Sequence, residues 1–307
     1  MVSTEEAKSM GQDIWQNWKE DDAGTLAASV AFYAVFSLAP LLVLAVAIAG
    51  LIFGEQAAQG ELAAQMEQWV GSAGAEAAQG VIASAGQPGG GGIFGTIFSI
   101  AVLLYAASKI FTQLHKSLNR IWDVRTDPDV GIRGTIRKHI TGFAMVLGIG
   151  ILLVALIILS GFLANLEAFV GDVPGGEGTW MVLNFIVQGA ILTFIFAAIF
   201  KYVPEVEVEW SDVWLGGAVT AVLFVIGSIA LSFYLAQAGP ASAYGAAGSL
   251  VALLLWIFYS TQILFAGAEF TQVYTRHRGR RIEPSEHAVP EKEAFSGGEQ
   301  PPQPAPS

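Results

Sequence analysis

Two ionisable side chains, Lys109 and Glu269, stand inside segments otherwise apolar enough to cross a bilayer. A charge at that depth is expensive and normally faces a partner, another helix or water. Paired with Lys109 or Lys116, the Glu269 carboxylate would form a structural bridge that offsets both burials. Unpaired, it could relay a proton or an ion. Polar residues at helical spacing extend both positions. Tyr105, Ser108, Thr112, His115, Lys116 and Asn119 follow one side of the segment around Lys109, and Gln262 shares the face of Glu269. A third stripe, Ser29, Tyr33 and Ser37 at i, i+4 and i+8, leads to Pro40, where a helix can bend. Ser29, Tyr33, Ser37, Pro40, Tyr105, Ser108, Lys109, Thr112, Gln262 and Glu269 together make a candidate polar cavity. The plainer alternative is that the hydroxyls bond their own helix carbonyls or join neighbouring helices, and that Lys109 snorkels to the interface. Asn184 and Gln188, one turn apart, read as helix-to-helix contacts, and Gly216, Gly217, Thr220, Ala221 and Gly227 as a close-packing face.

Other chemistry is hard to assemble. The four histidines, His115, His139, His277 and His287, are dispersed, with no HxHxDH or HExxH spacing, so no metal site is expected and nuclease activity has no centre. Cysteine is absent, which excludes thiolate ligands and nucleophiles. No phosphate-binding loop, nucleophile elbow or pair of membrane aspartates is present. No catalytic residue and no cofactor are predicted. A net charge of −11 and a pI near 4.8 argue against nucleic acid as a partner.

The elements that would position these residues are membrane spans. Hydrophobic residues make up 53% of the chain and charged residues 13%. Runs of this length without alternation read as helices rather than barrel strands, and a span needs roughly 20 apolar residues. An all-α, six-span domain is predicted over 26–275, with spans near 26–53, 93–117, 140–165, 180–203, 213–237 and 247–272. All 15 Lys and Arg then fall on one side, and the loops 54–92 and 166–179 carry only acids. Basic flanks stay cytoplasmic, so both termini are placed there, in the plasma membrane. The polar first 25 residues contain no cleavable signal peptide, and the first span serves for insertion.

Outside the spans, residues 1–25 hold an interfacial amphipathic helix with Met10, Ile14, Trp15 and Trp18 on one face. Residues 276–307, acidic and Pro-rich, are expected to be a disordered tail. The acid excess with scarce lysine matches proteins of salt-loving archaea and predicts a halophilic source. An acidic loop and tail in an ordinary prokaryote would give the same composition.

Four ordered blocks amount to a resemblance. Phe32-Tyr33-Ala34-Val35-Phe36-Ser37-Leu38-Ala39-Pro40 is similar to the first-span motif of the YihY/BrkB family, also labelled ribonuclease BN-like. Leu104 to Ser108 with Leu118-Asn119-Arg120-Ile121-Trp122 resembles its second. Tyr202-Val203-Pro204, Val208, Trp210 and Gly216-Gly217-Ala218 resemble the entry into its fifth. Tyr244 to Ser249, Trp256 to Ser260 and Gly267-Ala268-Glu269 resemble its sixth. The likeness covers about residues 10–275. It implies a six-helix inner-membrane protein with cytoplasmic termini, in a family linked to serum resistance and envelope lipid or lipopolysaccharide export. The long acidic, glycine-rich outer loop departs from that pattern. Two functions follow: a transporter or lipid exporter acting on a lipid or small molecule, or a non-transporting envelope protein that binds lipids and partner proteins.

Overall fold

The computed structural model describes residues 4–54, 59–60, 64, 92–127, 176–238, 248–285 and 288–290. Among them are six helices: α1 (Thr4–Glu20), α2 (Ala23–Phe53), α3 (Gly92–Ile121), α4 (Gly176–Tyr202), α5 (Trp210–Ala238) and α6 (Gly248–His277). Four short strands, β1 (Val124–Thr126), β2 (Val206–Glu207), β3 (Glu283–Pro284) and β4 (Ala288–Pro290), complete the described chain. The span expected at 140–165 lies outside the described residues, as does most of the loop 54–92.

Apolar composition explains the long helices. Within Val182–Tyr202, Trp210–Leu235 and Leu250–His277 the chain is long and apolar enough to cross a membrane. Their outer faces carry large side chains that water would not tolerate in such number: Phe185, Ile229 and Phe233 are about two-thirds or more exposed. Packing runs in the order α4, α5, α6, α2, α3, with α1 laid on α6.

The buried core is concentrated at one end of this bundle. Leu118, Ile121 and Trp122 close α3, Phe196 and Phe200 close α4, Val213 opens α5, and Phe265 and Ala268 lie in the second half of α6. Arg120, Arg276, Arg278 and Arg280 make their ion pairs at this end as well.

Two differences from the sequence reading concern the ends. The described part of the segment after 276 forms strands: β3 pairs antiparallel with β2, and β4 with β1. Four residue types normally taken for disorder, Glu, Pro, Ser and Gly, set the composition of the tail, but Ile282 and Ala288 are apolar anchors that pack on the core. At the other end, α1 forms where an amphipathic helix was expected, yet its apolar face is shared. Trp18 packs on the core while Trp15 is 60% exposed beneath the Lys19 ammonium, 4.8 Å from the ring centre. The helix is held to α6 by Asn17, whose amide donates to Gln272 at 3.1 Å, and by His277 facing Asp13 at 2.9 Å.

Candidate functional site

Glu269 is fully buried in α6, and neither carboxylate oxygen has a well-formed hydrogen bond; its polar neighbours are the Asp21 carboxyl and the Asn17 amide. The bridge expected with Lys109 or Lys116 is not formed. Lys109 instead places its ammonium over the Tyr105 ring at 4.4 Å, and Lys116 is exposed. The reason lies in the chain end: α1 and the turn into α2 fold over this part of α6 and bring acids rather than cations. Asp21, Asn17 and Asp123 are the side chains whose fields act on Glu269.

That acidic group is tied down from outside. Gln272, buried one turn beyond Glu269, donates to Asp123 at 3.0 Å, and Arg276 donates to the same Asp123 oxygen. Asp123 itself sits at φ +54°, a left-handed turn that aspartate tolerates, and this turn ends α3. Arg120 faces Asp21 at 3.7 Å and donates to the Glu20 carbonyl at 3.4 Å. Cations therefore ring the site at its rim, while its interior holds carboxylates and amides.

A second cluster joins α3 to the α4–β2 connection. His115 Nδ1 donates to the Val203 carbonyl at 2.6 Å, and its Nε2 faces Glu205 at 3.2 Å. Asn119 donates to Glu205 Oε2 at 3.2 Å and accepts the Glu205 backbone N–H at 2.8 Å, while Thr126 donates to Oε2 at 2.9 Å. Burial alone would push the Glu205 carboxyl up. The hydrogen bond and charge of His115, with the Thr126 and Asn119 donors, outweigh burial and hold it below the ordinary carboxylate value. With both carboxylate oxygens of Glu205 engaged, this cluster is a joint rather than a reactive centre.

A third lies where α4 hands over to α5. Arg280 donates to Glu209 at 2.6 Å, Ser211 at 2.9 Å and Asp212 at 2.8 Å. Asp212, in the first turn of α5, is almost fully buried, and its other oxygen accepts no hydrogen bond but faces Arg278 at 3.5 Å. The Asp212 hydrogen bond leads the causes that raise the Arg280 guanidinium above its usual value. Beside this network opens a groove of about 790 Å³ lined also by Lys201, Glu207, Trp210, Arg281 and Glu283.

The other residues singled out from sequence are mostly satisfied locally. Ser29 donates to the Thr25 carbonyl at 3.0 Å, Ser108 to Tyr105 at 2.7 Å and Thr112 to Ser108 at 2.9 Å, each within its own helix. Tyr33 and Tyr105 are exposed, Ser37 is buried, and Gln262 is half-buried. Pro40 lies within α2, and nothing further is described of its side chain. Gln188 donates to Asn184 at 2.9 Å along α4 rather than to another helix. Among the described residues no group of three or more His, Cys, Asp or Glu could hold a metal ion. Asn17, Asp21, Asp123 and Gln272 were not anticipated around Glu269. Only Gln272, three residues from Glu269 on the same helix, carried a sequence signal for it.

Long apolar helices with lipid-compatible outer faces define an α-helical integral membrane protein. The chain belongs to the virulence factor BrkB family, whose profile matches residues 14–292. It is similar to UPF0761 membrane proteins of Albidiferax ferrireducens, 28% identical over 89% of this chain and 65% of the relative. Those of Verminephrobacter eiseniae (29%; 86% and 61%) and Methylibium petroleiphilum (30%; 82% and 59%) are comparable. The chain thus spans about three-fifths of the length of these relatives. All three are bacterial, so they lend no support to the halophilic archaeal source expected from composition. No solved structure matches the chain.

Proposed function

We propose that the chain is a six-span plasma-membrane transporter or envelope lipid exporter, with both termini cytoplasmic, in which Glu269 handles charge. The observation that carries this reading is the Glu269 carboxylate itself, enclosed in a helix able to span the bilayer, with the acids Asp21 and Asp123 acting on it and no cation paired with it among the described residues. A purely structural carboxylate would be expected to keep a cation. A buried acid set beside other acids and unpaired with a cation is a place where a proton or coupling cation can bind and leave. The role is non-enzymatic, and no cofactor or nucleic-acid partner is part of it. Membrane lipids are its surroundings, and a lipid or small molecule is its cargo.

A second reading, a non-transporting envelope or assembly protein, draws on one observation: the groove described above lies at the helix ends, not between the spans. Reconstitution separates the two. Proteoliposomes loaded with a pH-sensitive dye and labelled lipids should show lipid movement or proton flux that Glu269→Gln abolishes without changing the amount of folded protein. Flat traces for the unaltered protein across lipid and metabolite classes would leave the second reading standing alone.

A further inference from the structure

The groove between the α4–β2 connection and the segment after α6 has a charge pattern that the protein itself leaves incomplete. Glu207 and Glu283 are direct partners across the antiparallel β2–β3 pair. Both are exposed, both line the groove, and neither has a hydrogen bond or ion pair with a described residue. Like charges directly opposite one another weaken a strand pair, so this position favours a cation between them. Among the described residues no side chain supplies it. Arg280 is engaged by Glu209, Ser211 and Asp212, and Lys201 donates to the Val208 carbonyl. Arg281, exposed on the same groove, is likewise without a partner among the described residues. The groove therefore presents a pair of carboxylates and one uncommitted guanidinium, which complements a ligand carrying an ammonium and a phosphate together.

Its surroundings say where such a ligand comes from. Trp210 lines the groove and also belongs to an aromatic cluster on the outer face of α4 and α5. Its ring stacks on Phe194 at 6.4 Å and meets Tyr202 at 5.8 Å and Trp214 at 6.2 Å. Tyr202 is 65% exposed and Trp214 43%. Amphipathic aromatics at the end of apolar helices mark the level of lipid headgroups, with acyl chains alongside the span. We infer that the groove is a binding site for a zwitterionic phospholipid headgroup of the phosphoethanolamine type, its ammonium between Glu207 and Glu283 and its phosphate on Arg281. The site is separate from Glu269 and stands whether or not the protein transports anything.

Native mass spectrometry of the detergent-purified full chain tests it, with short-chain phosphatidylethanolamine, phosphatidylglycerol and free phosphoethanolamine as probes. Phosphatidylethanolamine should bind about tenfold more tightly than phosphatidylglycerol, and Arg281→Ala should weaken it about tenfold. The double variant Glu207→Gln/Glu283→Gln should erase the preference between the two lipids while still binding both. These positions are exposed, so a melting temperature within the error of the unaltered protein certifies the fold. Equal binding of both lipids by the unaltered chain, or lipid binding indifferent to these substitutions, would overturn the assignment. So would free phosphoethanolamine binding as tightly as the lipid, since the acyl chains would then contribute nothing.

Discussion

Thr271 of α6 fills the space that a side chain on Gly216 of α5 would need: a Cβ at Gly216 would fall 1.9 Å from the threonine Oγ1. The relation is reciprocal. A Cβ at Gly267 of α6 would fall 1.8 Å from Thr220 of α5. Each threonine also donates to the carbonyl of the glycine one turn before it in its own helix, Thr220 to Gly216 at 2.7 Å and Thr271 to Gly267 at 2.6 Å. Two Gly-x-x-x-Thr turns therefore interlock head to tail, with every hydroxyl satisfied inside its helix and every glycine serving as the opposite notch.

Gly216→Ala should destabilise the protein by about 1–3 kcal/mol, the usual penalty for overpacking a tight contact. Because the atom at 1.9 Å is the Thr271 hydroxyl, Gly216→Ala/Thr271→Ala should recover part of that loss, the Thr271 Cβ at 2.9 Å remaining in the way. Thermal unfolding in detergent, measured for both single variants and the double, reads the coupling. Additive effects would show that the two positions do not meet.

Gly217→Ala should behave differently. Its Cβ would fall 2.6 Å from the Thr193 carbonyl oxygen and 2.8 Å from the Ala197 nitrogen on α4, which are backbone atoms. No side-chain trimming can make room there, so Thr193→Ala or Ala197→Gly should give no rescue. The expected readout is a variant at least as destabilised as Gly216→Ala, with α4 and α5 separating first in crosslinking.

Acid should loosen the joint around Glu205. Its carboxyl is held below the ordinary value in the folded protein, so it contributes stability that is present above that ordinary value and lost as pH falls through the lowered one. His115→Phe removes the group that leads the lowering, so less of this stability remains to be lost on acidification and the fall in melting temperature should shrink. Melting temperatures between pH 3 and 7 check this. Glu205→Gln should flatten the curve, and an unchanged pH profile in both variants would exclude the linkage.

The tail should matter as far as Pro290 and no further among the described residues. Val206 and Val124, partners in the two strand pairs, are almost fully buried, and covering each contributes roughly 2 kcal/mol. A stop codon after Ile282 should lower the melting temperature measurably, whereas one after Pro290 should leave it unchanged.

What was legible in the sequence follows from which forces act locally. Charge-free runs report on the solvent around the chain, so α4, α5 and α6, each long and apolar enough to cross a membrane, fall where hydropathy places spans, and the small residues of α5 announce a close contact. The partners of Glu269 were not legible, because they come from a helix some 250 residues away in sequence whose amphipathicity reads as lipid-facing; the Asn17–Gln272 contact spans 255 positions. Polar spacing along one helix likewise could not tell Ser108 and Thr112, satisfied by their own carbonyls, from residues that face a cavity. The order in the tail escaped a compositional reading since two apolar residues, Ile282 and Ala288, decide it.

Glu269 offers the sharpest division between a structural and a functional role. A glutamine amide there could donate to Asp21, which with Asp123 is one of the two acids that act on this position. Satisfying a buried polar group of this kind is worth about 1–3 kcal/mol, so Glu269→Gln should raise the melting temperature. A residue retained against stability is the pattern of a working site, since activity draws on an arrangement that folding alone would not select. The expected outcome is a more stable protein with no flux. A less stable Glu269→Gln variant, melting below the unaltered protein in the same detergent, would instead mark the carboxylate as a structural anchor between α1 and α6.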